Sequence, residues 1–458
     1  MALRDNARPE ATSTAPHGRA VRVVAITALI LTLAAAAGIV WLIKASATPQ
    51  TGAVTAPEAY PPAEPSEVLA AADADAAVPD LDELLPDLLS DSRFDGELSA
   101  IFADAASGEV LYERDARTPL TPASSMKLVT AVAAYLNLGP ELRIPTTVVD
   151  GPDEDTVVLV AGGDVTLTVD GEGYYGTGGS LTDLAEQVLE SRDGEAPTRV
   201  LLDTSIFGDS ELAEGVDGDD LPYTARTAPI MVDGGRIDNT QKYHSFYDDP
   251  AQAALEEFAS LVGASQTGSG TAEEGAADLG TVYSQPVAGL VDSFVLSSDN
   301  GLSDAMALYT AYAVTGEMTW DAIDTVHRDM LADFGADTDG LAFEDGSGLS
   351  EDDRMTAEAF SALLLGAADS SASSVFESLP VAGYSGTLDE RFRDTDDGDG
   401  VVRAKTGTLN GVSSLTGSLT TDDGRLLVFS IISNGHSNGW LVENAMDEVT
   451  AGVSRCGC

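Results

Sequence analysis

The sequence predicts an α+β fold: an antiparallel sheet flanked by helices, its chain interrupted by an inserted domain. Two observations carry this reading. Strand and helix patterns at the front of the folded part, and three strand patterns plus a helix at its back, supply one α+β domain. Between them, residues 146–285 alternate strand-like runs (Val157–Ala161, Val200–Asp203) with helical ones (Leu181–Glu190, Ala251–Val262), which reads as an insertion.

Along the chain, residues 1–22 form a basic tail with Arg4, Arg8, Arg19 and Arg22. Residues 23–43 are an uncharged apolar run long enough to cross a bilayer as a helix. The arginines before it place the N-terminus in the cytoplasm and everything after it outside. The expectation is a single-pass membrane anchor. Ala45-Ser46-Ala47 leaves open removal as a signal peptide, with secretion of the remainder. Residues 44–80, rich in Ala, Pro, Thr and Glu without apolar periodicity, read as a disordered linker. Folded sequence is expected from Leu81: a first part over 81–145, the insertion over 146–285, and a second part over 286–458. The first part pairs strands Leu98–Phe102 and Glu109–Tyr112 around Ala106-Ser107-Gly108, then runs a helix over Ser125–Leu138, closed by Gly139-Pro140. Gly263–Leu279 reads as a loop, and Val287–Ser297 and Ala305–Val314 as helices. Val401–Thr408, Ser413–Leu419 and Arg425–Ser433 read as strands, and Leu441–Val453 as the closing helix.

Charge narrows the function. The formal net charge is −53, from 23 basic and 76 acidic residues. Such a surface repels phosphate backbones and argues against a nucleic-acid partner. The four histidines do not cluster, and Cys456 and Cys458 stand together at the very end. Neither a disulfide framework nor a metal site is implied, and no cofactor. Lysine is scarce: Lys44, Lys127, Lys242 and Lys405 are the only four. Each survivor is therefore a better candidate for specific work than an average lysine.

Two of them sit in motifs. In Ser124-Ser125-Met126-Lys127, a helix puts Ser124 and Lys127 on one face, with Ser124 at the N-terminal end where free N–H groups favour developing negative charge. A neutral Lys127 could take the serine proton, which requires its pKa to fall from about 10.4. Ser298-Asp299-Asn300 follows an apolar helix, and Lys405-Thr406-Gly407-Thr408 lies in a strand, where an interior glycine marks close approach of another backbone. Each motif alone also reads as an ordinary cap, turn or strand. Together and in this order they match the set that serine β-lactamases and penicillin-binding proteins share.

The chain resembles the D-alanyl-D-alanine carboxypeptidase/endopeptidase family, the class C penicillin-binding proteins of low molecular mass (peptidase family S13). Pro122–Leu128, Asp203-Thr204-Ser205-Ile206-Phe207, Ala228-Pro229-Ile230 and Val232-Asp233-Gly234-Gly235-Arg236 carry the likeness, as do Asp345–Ser350, Leu379–Gly383 and Val402–Thr408. It implies a serine β-lactamase/transpeptidase-like domain acting on peptidoglycan stem peptides that end in D-Ala-D-Ala, with β-lactams as inhibitors. It implies Ser124 as acylated nucleophile, Lys127 as general base, Ser298 as proton relay to the leaving amine, and Asn300 as orienting group. Lys405 and Thr406 would bind the terminal carboxylate, with Lys405 also the cation that depresses Lys127. The N–H groups of Ser124 and Thr408 would form the oxyanion hole, and Gly407 lies between these binding residues. Asp220 matches an aspartate that in some members meets a substrate amino group, although the tryptophans around it are missing here and a solvated acidic loop is the plainer reading. The insertion is also shorter than the family's. A β-lactamase shares all three motifs but usually lacks such an insertion. A non-catalytic wall-binding scaffold predicts an eroded motif, and none is eroded.

Overall fold

The computed structural model describes residues 76–458 except 208–210, 218–219, 244, 394, 396–397 and 457–458. The basic tail, the apolar run 23–43, most of the linker, and Cys458 lie outside the described residues. Among those described, no helix is long and apolar enough to cross a membrane.

Order begins close to Leu81. Helix α1 (Leu81–Leu88) is capped by Asp80, whose carboxylate accepts the Asp82 N–H at 3.2 Å. Strands β1 (Glu97–Asp104) and β2 (Val110–Arg114) follow, with the Asp104 carboxylate accepting the Ser107 N–H at 2.7 Å to shape their turn. A 3-10 turn at Ala123–Met126 leads into α2 (Lys127–Asn137), so the expected helix at Ser125 starts in tighter coil. β3 (Arg143–Asp150), β4 (Thr156–Val160), α3 (Leu181–Ser191), β5 (Arg199–Asp203), α4 (Pro250–Val262), β6 (Gln266–Ser269) and β7 (Asp278–Pro286) come next. Then follow α5 (Val287–Ser297), α6 (Asn300–Thr315), α7 (Trp320–Asp333) and α8 (Ala357–Ala368). β8 (Val402–Leu409), β9 (Val412–Thr420), β10 (Leu426–Asn434) and α9 (Gly439–Ser454) end the fold.

Two five-stranded sheets result. The first runs β8-β9-β10-β1-β2, with all neighbours antiparallel. Leu81, Leu85, Phe102, Phe429, Val442 and Met446 pack α1 and α9 onto one of its faces. Apolar residues recur at helical spacing on α9 and on alternate strand positions, so burial alone fixes the register. The second sheet runs β6-β5-β4-β3-β7, and its core is continuous with the helices: Val148, Leu159 and Leu202 share one cluster with Val129, Leu290, Phe294 and Phe360. The expected loop Gly263–Leu279 contains β6, which pairs in parallel with β5. Its residues Gln266, Thr267 and Ser269 are exposed, so an edge strand held by backbone pairing leaves no apolar alternation to read.

β8 is an edge strand. Its first half is covered by Pro380–Ala382, through Ala404 N–H to Pro380 O and Ala382 N–H to Val402 O. The half carrying Thr406–Thr408 is not, and the site forms there.

Candidate active site

Three elements converge on a cleft of about 600 Å³ lined by Ser124, Ser298, Asn300, Thr406 and Thr408, with Asp220, Lys242, Glu351, Arg391 and Glu443 around them. The turn before α2 brings Ser124, partly buried, to the cleft floor. Ala123, just before it, has φ +48, an uncommon conformation for a residue with a Cβ. The surroundings enforce it. A Cβ on Gly348 would stand 1.9 Å from Ala123 O, and one on Gly407 would stand 2.6 Å from Pro122 O and 2.2 Å from Ser414 Oγ. The strand glycine thus marks the close backbone approach that its position implies.

Lys127, fully buried, holds its Nζ 3.0 Å from Ser124 Oγ, 2.7 Å from Asn300 Oδ1 and 2.7 Å from Ser347 O. Burial lowers its pKa to about 8; Asp304, Asp345 and Asp299 oppose the shift, and Lys242 adds to it. Lys405, equally buried, donates to Ser298 Oγ at 3.0 Å and to Thr406 O at 2.7 Å. Burial, then Lys127, then Lys242 push its pKa well below the usual lysine range. Two ammonium groups this near each other and this dry do not both hold protons easily. Lys242 is a cation that lowers the pKa of Lys127 further, and Lys127 in turn lowers that of Lys405.

Thr406 donates to Thr387 Oγ1 at 2.7 Å, and Thr408 to Glu443 Oε1 at 2.8 Å. Asp220 lies at the rim, with Oδ2 accepting the Asp217 N–H at 3.0 Å. Eight of the nine expected site residues therefore surround one point, Gly407 serving as the gap between strand and nucleophile turn, while Asp220 stands at the edge. Among the described residues no His, Cys, Asp and Glu group is arranged to hold a metal.

The model of the D-Ala-D-Ala carboxypeptidase 3 (S13) family matches residues 81–245 and 239–453. The chain belongs to this family of serine-type carboxypeptidases. A carboxypeptidase of Mycobacterium tuberculosis is 37% identical over 381 residues, covering 79% of this chain and 81% of that protein. The D-alanyl-D-alanine carboxypeptidase of an Actinomadura species is 30% identical, covering 80% and 83%. Penicillin-binding protein 4 of Haemophilus influenzae superposes with a TM-score of 0.66 at 19% identity, over 78% of this chain and 94% of that one, which shows the shared fold.

Several groups at this S13 site lie outside the three motifs that carry the chemistry-bearing side chains. Ser347 contributes a carbonyl, Tyr223 a carbonyl that accepts Asn300 Nδ2 at 3.3 Å, and Lys242 a side chain that donates to Ser297 O. The backbone acceptors have no side-chain signature. Lys242 had one: beyond Lys44 the chain has only three lysines, and the other two, Lys127 and Lys405, are both in motifs.

Proposed function

We propose that the protein is a penicillin-sensitive D-Ala-D-Ala carboxypeptidase that trims peptidoglycan stem peptides through an acyl-enzyme on Ser124. The observation that carries this is the placement of the Lys127 amine against the Ser124 hydroxyl, with two further acceptors fixing its other N–H groups. A neutral amine that donates to Asn300 Oδ1 and Ser347 O has one lone pair left, and it faces Ser124 Oγ. Lys127 takes the serine proton as Oγ attacks the carbonyl of the penultimate D-alanine. The N–H groups of Ser124 and Thr408 stabilise the oxyanion. Ser298, bridged to Lys405, passes a proton to the departing D-alanine nitrogen, and water then cleaves the ester. The uncovered half of β8 takes the peptide as an added strand, with its terminal carboxylate at Lys405 and Thr406. Asp220, at the rim of the cleft, takes an amino group on the acyl side.

In this reading residues 81–145 and 286–458 form the transpeptidase-like domain and 146–285 its insertion. Residues 23–43 anchor it in the cell membrane with the catalytic part outside; signal cleavage and secretion is the alternative. The test is mass spectrometry after incubation with labelled penicillin, together with released D-alanine from a diacyl-D-Ala-D-Ala peptide. An adduct on Ser124, lost in Ser124→Ala, is expected. Labelling elsewhere, or none, refutes the assignment. A cross-linked stem-peptide dimer in the same assay reads endopeptidase action.

A further inference from the structure

Ser298 is held at φ +57, left-handed backbone that a residue with a Cβ rarely adopts, in the two-residue link between α5 and α6. What holds it comes from the insertion. The carboxylate of Asp299, almost wholly buried, accepts the Leu302 N–H at 2.9 Å to cap α6 and the Tyr175 hydroxyl at 3.2 Å, and pairs with Arg236 Nη2 at 2.6 Å. Arg236 also donates from Nη1 to the Tyr175 hydroxyl at 2.9 Å and to Asp233 O at 3.1 Å, and from Nε to Lys242 O at 3.2 Å. Its guanidinium lies 3.8 Å over the Tyr174 ring. Lys242 Nζ donates to Ser297 O, and the Tyr243 hydroxyl donates to Ser298 O at 3.5 Å. One short segment thus grips Ser297, Ser298 and Asp299 in succession.

The segment is itself tightly set. Asp233, Gly234 and Gly235 are three consecutive residues with φ of +51, +63 and +75. A Cβ on Gly234 would lie 2.4 Å from the Tyr175 hydroxyl and 2.5 Å from Arg236 Nη1. That glycine is needed for the guanidinium to reach both partners. Neither Arg236 nor Tyr175 lines the cleft. An ion pair this dry is a poor device for stability, since replacing such a pair by apolar residues is often neutral or stabilising. It is a good device for fixing geometry, because a planar fork and a carboxylate allow few arrangements.

We propose that Arg236 and Tyr175, with Lys242 and Tyr243, are positioning residues for the reaction. From the insertion they lock the Ser298-Asp299-Asn300 turn, so that Ser298 Oγ meets Lys405 and Asn300 Oδ1 meets Lys127. This rests on the proposed function. It assigns the insertion a part in catalysis: the turn it holds delivers the leaving-group proton and orients the base, while the terminal carboxylate is held from β8. Loosening the grip slows acylation and leaves substrate affinity nearly intact.

The test uses the full-length protein as wild type, Tyr175→Phe, Arg236→Met and Arg236→Lys. D-alanine release gives kcat and KM, single-turnover labelling gives the acylation rate of Ser124, and thermal melting reports folding. Tyr175→Phe keeps the ion pair and removes only the bridging hydroxyl, and it is expected to lower kcat and the acylation rate about three- to ten-fold with KM within about two-fold. Arg236→Met is expected to lose about ten-fold or more, and Arg236→Lys to recover part of it, because one ammonium cannot reproduce the fork. If Arg236→Met does not fold, Tyr175→Phe and Arg236→Lys decide. Variants that melt earlier yet keep kcat within about two-fold overturn the proposal, as does a rise in KM with kcat unchanged. A wild type that neither takes penicillin nor releases D-alanine refutes the proposed function and this inference with it. A labelled wild type beside an unaffected Tyr175→Phe refutes the inference alone.

Discussion

The pH dependence of Ser124 acylation follows from one burial. Lys127 must be neutral to act as base, and burial lowers its pKa to about 8. The neutral fraction is about one half at pH 8 and about one hundredth at pH 6, falling ten-fold per unit below the pKa. The acylation rate of the free enzyme should therefore climb about ten-fold per pH unit from 6 to 7 and flatten above 8. Asp304, Asp345 and Asp299 pull the value upward and Lys242 pulls it down. Lys242→Met removes that cation, so the ascending limb should move to higher pH, with the plateau rate less affected than the rate at pH 7. Stopped-flow acylation by a fluorescent penicillin between pH 5.5 and 9.5 measures both curves. A flat wild-type profile refutes Lys127 as the base, and a Lys242→Met limb shifted to lower pH refutes the electrostatic account of its pKa.

Three further outcomes are expected. Lys405→Ala should weaken kcat/KM for peptides ending in a carboxylate about ten- to a hundred-fold, and much less for the same peptides ending in an amide, since a charge-assisted hydrogen bond is worth roughly 1.5–3 kcal/mol. Gly407→Ala places a methyl 2.2 Å from Ser414 Oγ and 2.6 Å from Pro122 O; overpacking of this kind costs about 1–3 kcal/mol, read by denaturant unfolding, and D-alanine release should fall with it as the nucleophile turn is pushed off β8. His327, buried against Phe343, has its pKa lowered to about 4 by desolvation. Its folded pKa lies below its unfolded one, so stability is unaffected above about pH 6.5 and is lost as pH falls towards 4, on the order of 3 kcal/mol in all. His327→Leu should remove that part of the acid dependence in urea titrations at pH 4 and 7.

What the sequence made legible follows the kind of force involved. Strands β8, β9 and β10 are found within a residue or two of their expected limits, and α5 at its expected limits, because each buries an apolar face whose spacing is written in the residues. β3 escaped notice since Pro145 and two threonines break its pattern, and β7 since it follows a polar stretch. α7 and α8 were not anticipated, although Thr319 and Thr356 cap them with side-chain acceptors. At the site, the motif side chains that the structure gathers around the cleft were legible, whereas the groups that hold them were not. Arg236 stood in a recognisable stretch without a role, because nothing in its neighbourhood announces a partner 63 residues on.

The charge of the chain sharpens the meaning of its lysines. A net −53 surrounds the cleft with a field that draws protons in and raises the pKa of any exposed amine. An exposed lysine here would be a worse base than in a neutral protein, and a substrate carboxylate is repelled before it arrives. Both problems have one local answer. Lys127 and Lys405 are fully buried, and desolvation outweighs the acidic surroundings and lowers the pKa of both. Lys242, less buried, lines the cleft where the carboxylate must pass. A lysine-poor, acid-rich surface and a site that gathers Lys127, Lys242 and Lys405 are thus parts of one electrostatic arrangement. In it burial lowers the pKa of Lys127, and Lys242, a cation at the cleft wall beside Arg391, lowers it further and offsets the repulsion of the substrate.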